Sequence, residues 1–231
     1  MGVVKIAILS MMVIYLQSSY ANAQVSDRGV DVNFAGNVYE IELSAISISG
    51  EYSGRYLASG FKNNAGYISY YIVEVDKGNG KSRYWKLADE VSQFIERKGN
   101  LYAVSNGGKL LKLEGDEWKP DFTIKPRSYV VQSDPLIACS WGDDTLDPRH
   151  RLDPGCYSPD LGWKNDVFWS ATIVEPKICH GQLKVLVSDH RKHALHWEIL
   201  VMNPESGEEI GQIPTPEPRL GMDVCNYELE K

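Results

Sequence analysis

The chain has no G-x-S-x-G serine, no H-E-x-x-H pair and no Walker loop. Each of those motifs places a nucleophile, a metal or a phosphate cradle by local spacing alone. Their absence removes the common motif-defined hydrolases, zincins and nucleotide-binding enzymes as direct readings. No apolar run reaches the roughly 20 residues that a membrane-spanning helix needs. Cysteine is missing from the first 138 positions, and none follows the small residues near position 23, so a lipid-anchored N-terminus is not expected. Basic residues are in the minority, 24 against 31 acidic ones. An acidic surface repels phosphate backbones and anionic lipid, which excludes nucleic acid as an expected partner and disfavours tight docking on a membrane.

What is present begins with Lys5, the apolar run Ile6–Leu16 and the sequence Ala21-Asn22-Ala23. A basic start, a short apolar stretch and an A-x-A site make a secretory signal peptide, expected over residues 1–23 with cleavage before Gln24. Lys5 is the only charged residue in that segment. The mature chain therefore keeps 23 of the 24 basic and all 31 acidic residues, a net charge of −8. The expected location is periplasmic or secreted, with no stable membrane anchor after cleavage.

All four cysteines lie in the C-terminal half, at 139, 156, 179 and 225. An even count in an exported chain predicts two disulfides. Three connectivities are possible. Cys139–Cys156 and Cys179–Cys225 are favoured because closure between nearest neighbours demands the least rearrangement of the chain. The spacings are far from C-x2-C, so no thiolate metal site is expected.

From Gln24 to Gly36 the sequence is polar and reads as a loose lead-in. The pattern then becomes one of short strands and turns. Val38–Ser47 alternates Val38, Glu40 and Glu42 against Tyr39, Ile41 and Leu43; Arg55–Phe61 and Tyr67–Val75 follow, then the turn Asp76–Gly80 and the return Ser82–Leu87. Val91–Lys119 repeats this plan more tightly, with Asn106-Gly107-Gly108 suited to a hairpin that needs positive φ. Leu87, Val91, Phe94 and Ile95 also fit helical spacing, with Gly99 as a helix terminus. The strand-like flanks favour strand over a helix at Ala88–Lys98. Phe122–Val131 reads as the start of a third copy, interrupted by the stretch bounded by Cys139 and Cys156. Val167–Val174, Gln182–Val187, Ala194–Met202 and Glu209–Ile213 then form another set, and Asp223–Leu229 reads as a last edge strand tied back by Cys225.

Four-strand units recurring every 30–50 residues or so are the grammar of propeller blades. The expected fold is therefore mainly β: one all-β domain over residues 24–231, built as a small or incomplete propeller-like array of four-stranded antiparallel units. An irregular β-sandwich is the alternative.

The most unusual segment runs from Cys139 to Cys156. It holds two Leu-Asp-Pro triplets, the acidic pair Asp143-Asp144 and the basic trio Arg149-His150-Arg151. Asp before Pro favours extended or turn-starting backbone, and a braced, proline-stiffened loop loses little entropy on binding. Trp141, Asp143, Asp144, Asp147, Arg149, His150 and Arg151 are accordingly the candidate partner-binding residues. The bland alternative is that the aspartates cap turns and pair with the arginines. A calcium site on Asp143, Asp144, Asp147 and Asp153 lacks the spacing of any calcium loop. His190 and His193 fall at an expected hairpin tip, Asp189–His193, His196 lies on the next strand opposite the Leu195/Trp197 face, and His180 stands alone, so none is read as catalytic. Ser105 and Ser140 have no base partner in sequence. The pairs Asp89-Glu90 and Glu208-Glu209 read as solvated faces. Tyr67, Tyr70, Tyr71, Tyr84 and Trp85 suit either core packing or a sugar- or protein-binding surface.

No catalytic residue, metal or cofactor is expected. The expected function is an exported, non-catalytic protein-binding module, with an inhibitor or immunity protein against a secreted toxin as its specific form. The alternative is a propeller enzyme or carbohydrate-binding protein with a central pocket made of residues distant in sequence.

Overall fold

The computed structural model describes residues 21–26, 29–34, 37–140, 155–166, 171–189, 196–215 and 222–229. It is almost entirely strand, arranged as five antiparallel sheets in chain order. Sheet I holds β1 (Ala21–Ser26), β2 (Gly29–Phe34) and β3 (Asn37–Ile41). Sheet II holds β4 (Ala45–Tyr52), β5 (Arg55–Asn64), β6 (Tyr67–Val75) and β7 (Ser82–Leu87). Sheet III holds β8 (Val91–Arg97), β9 (Asn100–Ser105), β10 (Lys109–Glu114) and β11 (Glu117–Thr123). Sheet IV holds β12 (Ser128–Ser133), β13 (Leu136–Ser140), β14 (Gly155–Ser158) and β15 (Trp163–Asn165). Sheet V holds β16 (Ala171–Cys179), β17 (Gln182–Asp189), β18 (His196–Met202) and β19 (Glu209–Thr215). Each is a simple meander in which every strand pairs with its neighbour in sequence.

The turns show why these segments pair as they do. A two-residue hairpin of type I′ needs positive φ at both central positions. Ser53-Gly54, Lys98-Gly99 and His180-Gly181 meet that need (φ 47° and 71°, 48° and 72°, 51° and 77°) and join first to second strands in sheets II, III and V. The third and fourth strands of sheets II, IV and V are joined by a five-residue turn that closes on a glycine. Gly80, Gly162 and Gly207 donate to the carbonyls of Asp76, Ser158 and Asn203 at 2.8–2.9 Å. The side-chain oxygens of those same three residues hold amides inside the turn: Gly78, Leu161 and Glu205. A small polar residue starting the turn and a glycine ending it is thus a repeated local device.

Central strands are buried on both faces, so they read as continuous apolar runs. Tyr56–Gly60 in β5, Leu101–Ser105 in β9 and Leu136–Ser140 in β13 are buried without a break. Their two faces serve two different cores. Val32, Ile41 and Leu43 meet Ala58 and Val73 between sheets I and II. Leu57 and Ile72 meet Phe94 and Ala103 between II and III. Val104 and Leu110 meet Val130 and Ala138 between III and IV. Ile137 and Cys139 meet Val185 and Leu200 between IV and V. The far face of sheet V is covered by the C-terminal segment, where Val224, Tyr227 and Leu229 pack on Leu186, Ile199 and Val201. The molecule is therefore a sequential array of face-packed sheets.

Both disulfides are formed. Cys139 and Cys156 sit opposite each other on β13 and β14, with Cα atoms 4.0 Å apart. Cys179 at the end of β16 joins Cys225 in the C-terminal segment, across 46 residues. Lys177 pairs with Asp223 at 3.1 Å, and the buried Lys184 donates through Nζ to the Tyr227 carbonyl, so this segment is held covalently, ionically and by apolar packing.

Four expectations change. Gln24–Gly36 is not a loose lead-in, since Ala21–Ser26 and Gly29–Phe34 pair along their length. β1 begins at Ala21, so cleavage before Gln24 leaves its second half, Gln24–Ser26. Val38–Ser47 is not one strand: it splits into β3 and β4, in different sheets, with a tight turn in which the Leu43 amide donates to the Ile41 carbonyl at 2.7 Å. Phe122 ends sheet III rather than opening a third copy, and sheet IV starts at Ser128. Asp223–Leu229 holds a short 3-10 turn, Val224–Asn226, capped by the Asp223 side chain, instead of an edge strand. The strand favoured over a helix at Ala88–Lys98 is present as β8, from Val91 to Arg97.

Candidate functional site

A meander places its connections alternately at two ends. One end carries the turns between first and second and between third and fourth strands. The other carries those between second and third strands and the links from each sheet to the next. The second end is marked by contacts between successive links. Ser47 Oγ donates to Glu90 Oε1 at 2.9 Å, Asn106 Nδ2 donates to Glu90 Oε2 at 2.8 Å, and the Arg127 amide donates to the Asn106 carbonyl at 2.8 Å. Asp89 accepts from the Gly107 amide. This end we call the loop end.

The long connection of residues 141–154 leaves sheet IV at the loop end, between its second and third strands. All seven candidate residues, Trp141, Asp143, Asp144, Asp147, Arg149, His150 and Arg151, lie outside the described residues, as does Asp153. The histidine-bearing stretch 190–195, between β17 and β18, also lies outside them. What the structure does describe is the mouth from which 141–154 emerges. Ser140 and Gly155 face each other in register, with the buried disulfide one pair below. The base of the loop is thus fixed at two successive residue pairs.

Beside that mouth is a compact polar group. Tyr157 on β14 accepts the Lys125 amide at 2.8 Å and lies 2.8 Å from Ser128 Oγ. Burial pushes its phenol pKa up. Lys125 Nζ lies 5.4 Å above the Tyr157 ring and 2.9 Å from Asp166 Oδ1, and Lys164 pairs with the other Asp166 oxygen. Burial raises the Asp166 pKa, but hydrogen bonds and charge from the two lysines outweigh it and hold the carboxyl below its usual value. Every member of this group is matched to a partner. It locks the link between sheets IV and V to the base of the loop and presents no activated nucleophile or base.

Ser105 is buried and its Oγ accepts from the Lys109 amide, a turn-forming role. Ser140 is likewise buried, with Oγ donating to the Gly155 carbonyl at 3.3 Å. Glu90 is engaged by Ser47 and Asn106, so it belongs to the link network rather than to a solvated face. Trp85 and Tyr71 pack into cores, whereas Tyr67 is 81% exposed at the tip of the β5–β6 hairpin, at the loop end. Among the described residues no three His, Cys, Asp or Glu side chains are placed to hold a metal ion, and no helix is long and apolar enough to cross a membrane. A shallow, open depression of about 490 Å³ is lined by Glu40, Glu42, Ser82 and Tyr84, without the enclosing walls of a substrate pocket. The sequence matches no protein-family model and no curated protein.

Proposed function

We propose that this chain is an exported, non-catalytic binding protein that presents the loop end of a propeller-like array of sheets to another protein. The observation that carries the reading is the mouth at Ser140–Gly155: a 14-residue, charged, proline-bearing connection set on a buried, disulfide-crossed strand pair. A rigid base under a stiff loop lowers the entropy lost on binding. Trp141 supplies an aromatic anchor, and the mixed charges of Asp143, Asp144, Asp147, Arg149, His150 and Arg151 supply orientation. Two disulfides favour an oxidising compartment, in keeping with a signal peptide over residues 1–23 and a periplasmic or secreted mature chain. The specific form we favour is an inhibitor or immunity protein that covers the active site of a secreted toxin, a role for which the charged, disulfide-based connection 141–154 is suited.

The test is affinity purification of the tagged mature protein from its native extracytoplasmic fraction, beside a variant in which residues 142–152 are replaced by a flexible linker. A stoichiometric protein partner on the parent and not on the variant is expected, with both showing the same thermal transition. A partner retained equally by a folded variant overturns the loop assignment. A parent that brings down no protein overturns the binding reading itself.

A further inference from the structure

The two disulfides sit in different surroundings. Cys139 and Cys156 are fully buried, on paired strands inside the core between sheets IV and V. Cys179 is buried as well, at the end of β16. Of the four cysteines only Cys225 is not buried, and the exposed Asn226 follows it. A reductant must bring a thiolate up to one of the sulfurs, so access decides which bridge it attacks first. Cys225 offers that access, and the bridge in the core does not.

A second observation is how the segment 222–229 is held. It crosses the far face of sheet V without joining the ladder, from Cys179 on β16 past Lys184 on β17 to Gly211 on β19, where the Leu229 side chain lies. The described bonds of its backbone amides are local. Asn226 donates to the Asp223 carbonyl at 3.1 Å, Tyr227 to the Val224 carbonyl at 3.4 Å, and Cys225 to the Asp223 side chain at 3.1 Å. Side chains make the contact with the sheet. Val224, Tyr227 and Leu229 pack on Leu186, Ile199 and Val201. The Lys177–Asp223 pair is 39% and 43% exposed and adds little. Lys184 is 1% exposed, its Nζ donates to the Tyr227 carbonyl, and among the described residues no carboxylate pairs with it. An ammonium buried against a carbonyl carries a desolvation cost that is recovered when water reaches it. The segment therefore covers a group that favours its lifting, and Cys179–Cys225 is the covalent bond that opposes it.

We propose that segment 222–229 is a redox-operated latch: a dithiol reduces Cys179–Cys225, leaves Cys139–Cys156 closed, and frees the segment so that Lys184, Leu186, Ile199 and Val201 are uncovered. One thiolate of the reductant attacks Cys225 Sγ, the bond between the two sulfurs breaks, and Cys179 leaves as a thiolate. The second thiol of the reductant then displaces Cys225 from the mixed disulfide. The reductant ends as a disulfide, and two electrons and two protons end on Cys179 and Cys225. The near face of sheet V stays packed on sheet IV through Val185 and Leu200, with the Cys139–Cys156 bridge inside that core. The oxidised chain thus presents a closed far face, and the reduced chain an apolar strip bearing one cation. The latch is independent of the binding role given to residues 141–154.

The test is stepwise reduction of the purified mature protein with dithiothreitol, with alkylation and peptide mass mapping at each step. Hydrogen exchange and acetylation of Lys184 by an amine-reactive ester are read alongside. Alkylation at Cys179 and Cys225 is expected about tenfold sooner than at Cys139 and Cys156. Once the first pair is open, amide exchange in 222–229 and acetylation of Lys184 should each rise about tenfold, while exchange in β9 and β13 stays as in the oxidised protein. Reoxidation should restore both protections. The variant Cys179→Ala/Cys225→Ala should acetylate at Lys184 without any reductant. Reduction of both bridges together overturns the latch. So does a reduced pair, or that variant, in which Lys184 stays protected. Exchange that rises throughout the chain overturns it too, since the bridge is then a staple of the whole fold. Partner capture through residues 141–154 is read separately and is unaffected.

Discussion

Arg97 and Asp160 join sheets III and IV at the end opposite the loops, and removing Asp160 is the sharpest test of how the array holds together. Arg97 Nη2 lies 2.6 and 2.7 Å from the two Asp160 oxygens, while Arg97 Nε donates to the Ser133 carbonyl at 3.1 Å. Asp160 Oδ2 also accepts the Leu136 amide at 2.7 Å. The two side chains are only 11% and 23% exposed. Deleting one partner of a buried pair typically costs about 3–5 kcal/mol, because the other charge stays behind without compensation. Water reaches Asp160, so the cost falls between that of a buried pair and that of an exposed one, and Asp160→Ala should lose about 2 kcal/mol. Asp160→Asn keeps an acceptor for Leu136 and should lose roughly half as much.

The pH dependence follows from the same geometry. Burial pushes the Asp160 pKa up, but the Leu136 amide and Arg97 outweigh it, so the folded-state value lies below the unfolded one. A depressed carboxyl contributes stability that is fully present above the unfolded pKa of about 4 and is lost as pH falls through the folded value. Urea unfolding of parent and Asp160→Ala at pH 7 and at successive steps down to pH 3 reads both quantities. The gap between the two proteins should be largest at pH 7 and narrow below about pH 4. A loss under about 0.5 kcal/mol at pH 7, the size of an exposed ion pair, would refute the buried-pair reasoning. So would a gap that stays constant across the range. The double variant Arg97→Met/Asp160→Leu should recover much of the loss, since neither charge is then stranded.

Three further outcomes are expected. Gln93 is buried on β8 and exchanges two hydrogen bonds with the Val130 backbone on β12, at 2.8 and 2.9 Å, so Gln93→Leu should strand both groups and cost about 2–3 kcal/mol by urea denaturation. Breaking Cys179–Cys225 by Cys225→Ser opens a span of 46 residues and should cost about 4 kcal/mol in the chain-entropy account, against about 3 kcal/mol for the 17-residue Cys139–Cys156 span, a ranking that thermal unfolding of the two single variants checks. Intact-mass measurement of the exported protein should give a chain starting at Gln24 with four hydrogens fewer than the reduced sequence; retention of residues 1–23 would count against the signal-peptide assignment.

Strand content was legible from sequence wherever a strand had one core face or sat between clear turns, as at Tyr67–Val75 and Gln182–Val187. The residue-plus-glycine hairpins at 53–54, 98–99 and 180–181 carry a repeat signal of their own, which the strand patterns alone left unread. Gly99 was ambiguous because a positive-φ glycine serves a type I′ hairpin and a helix terminus equally well. The start of the chain was illegible for a different reason. Val30 and Val32 are the only buried side chains described on β2, with Asp31 between them and Asn33 after, so a strand with one modest apolar face looked like polar coil.

Val38–Ser47 shows why the division into sheets was harder to see than the strands. Tyr39, Ile41 and Leu43 are all buried in one core, and the alternation runs unbroken through the place where the chain leaves sheet I for sheet II. Period-2 burial reports which side of the backbone faces apolar neighbours; it does not report whether the next hydrogen-bonded partner is the same strand. Here the change is made by a turn at Ile41–Leu43 that uses neither glycine nor proline, so no residue announces it. The same limit governs the candidate site. The composition of residues 139–156 marked the loop, but that its mouth at Ser140–Gly155 opens at the same end as the 65–66 and 106–108 turns depends on the parity of strands in every sheet. One strand miscounted before Cys139 would move the loop to the opposite end, beside Arg97 and Asp160, so the location of the proposed binding face stands on the strand count and not on the loop's own chemistry.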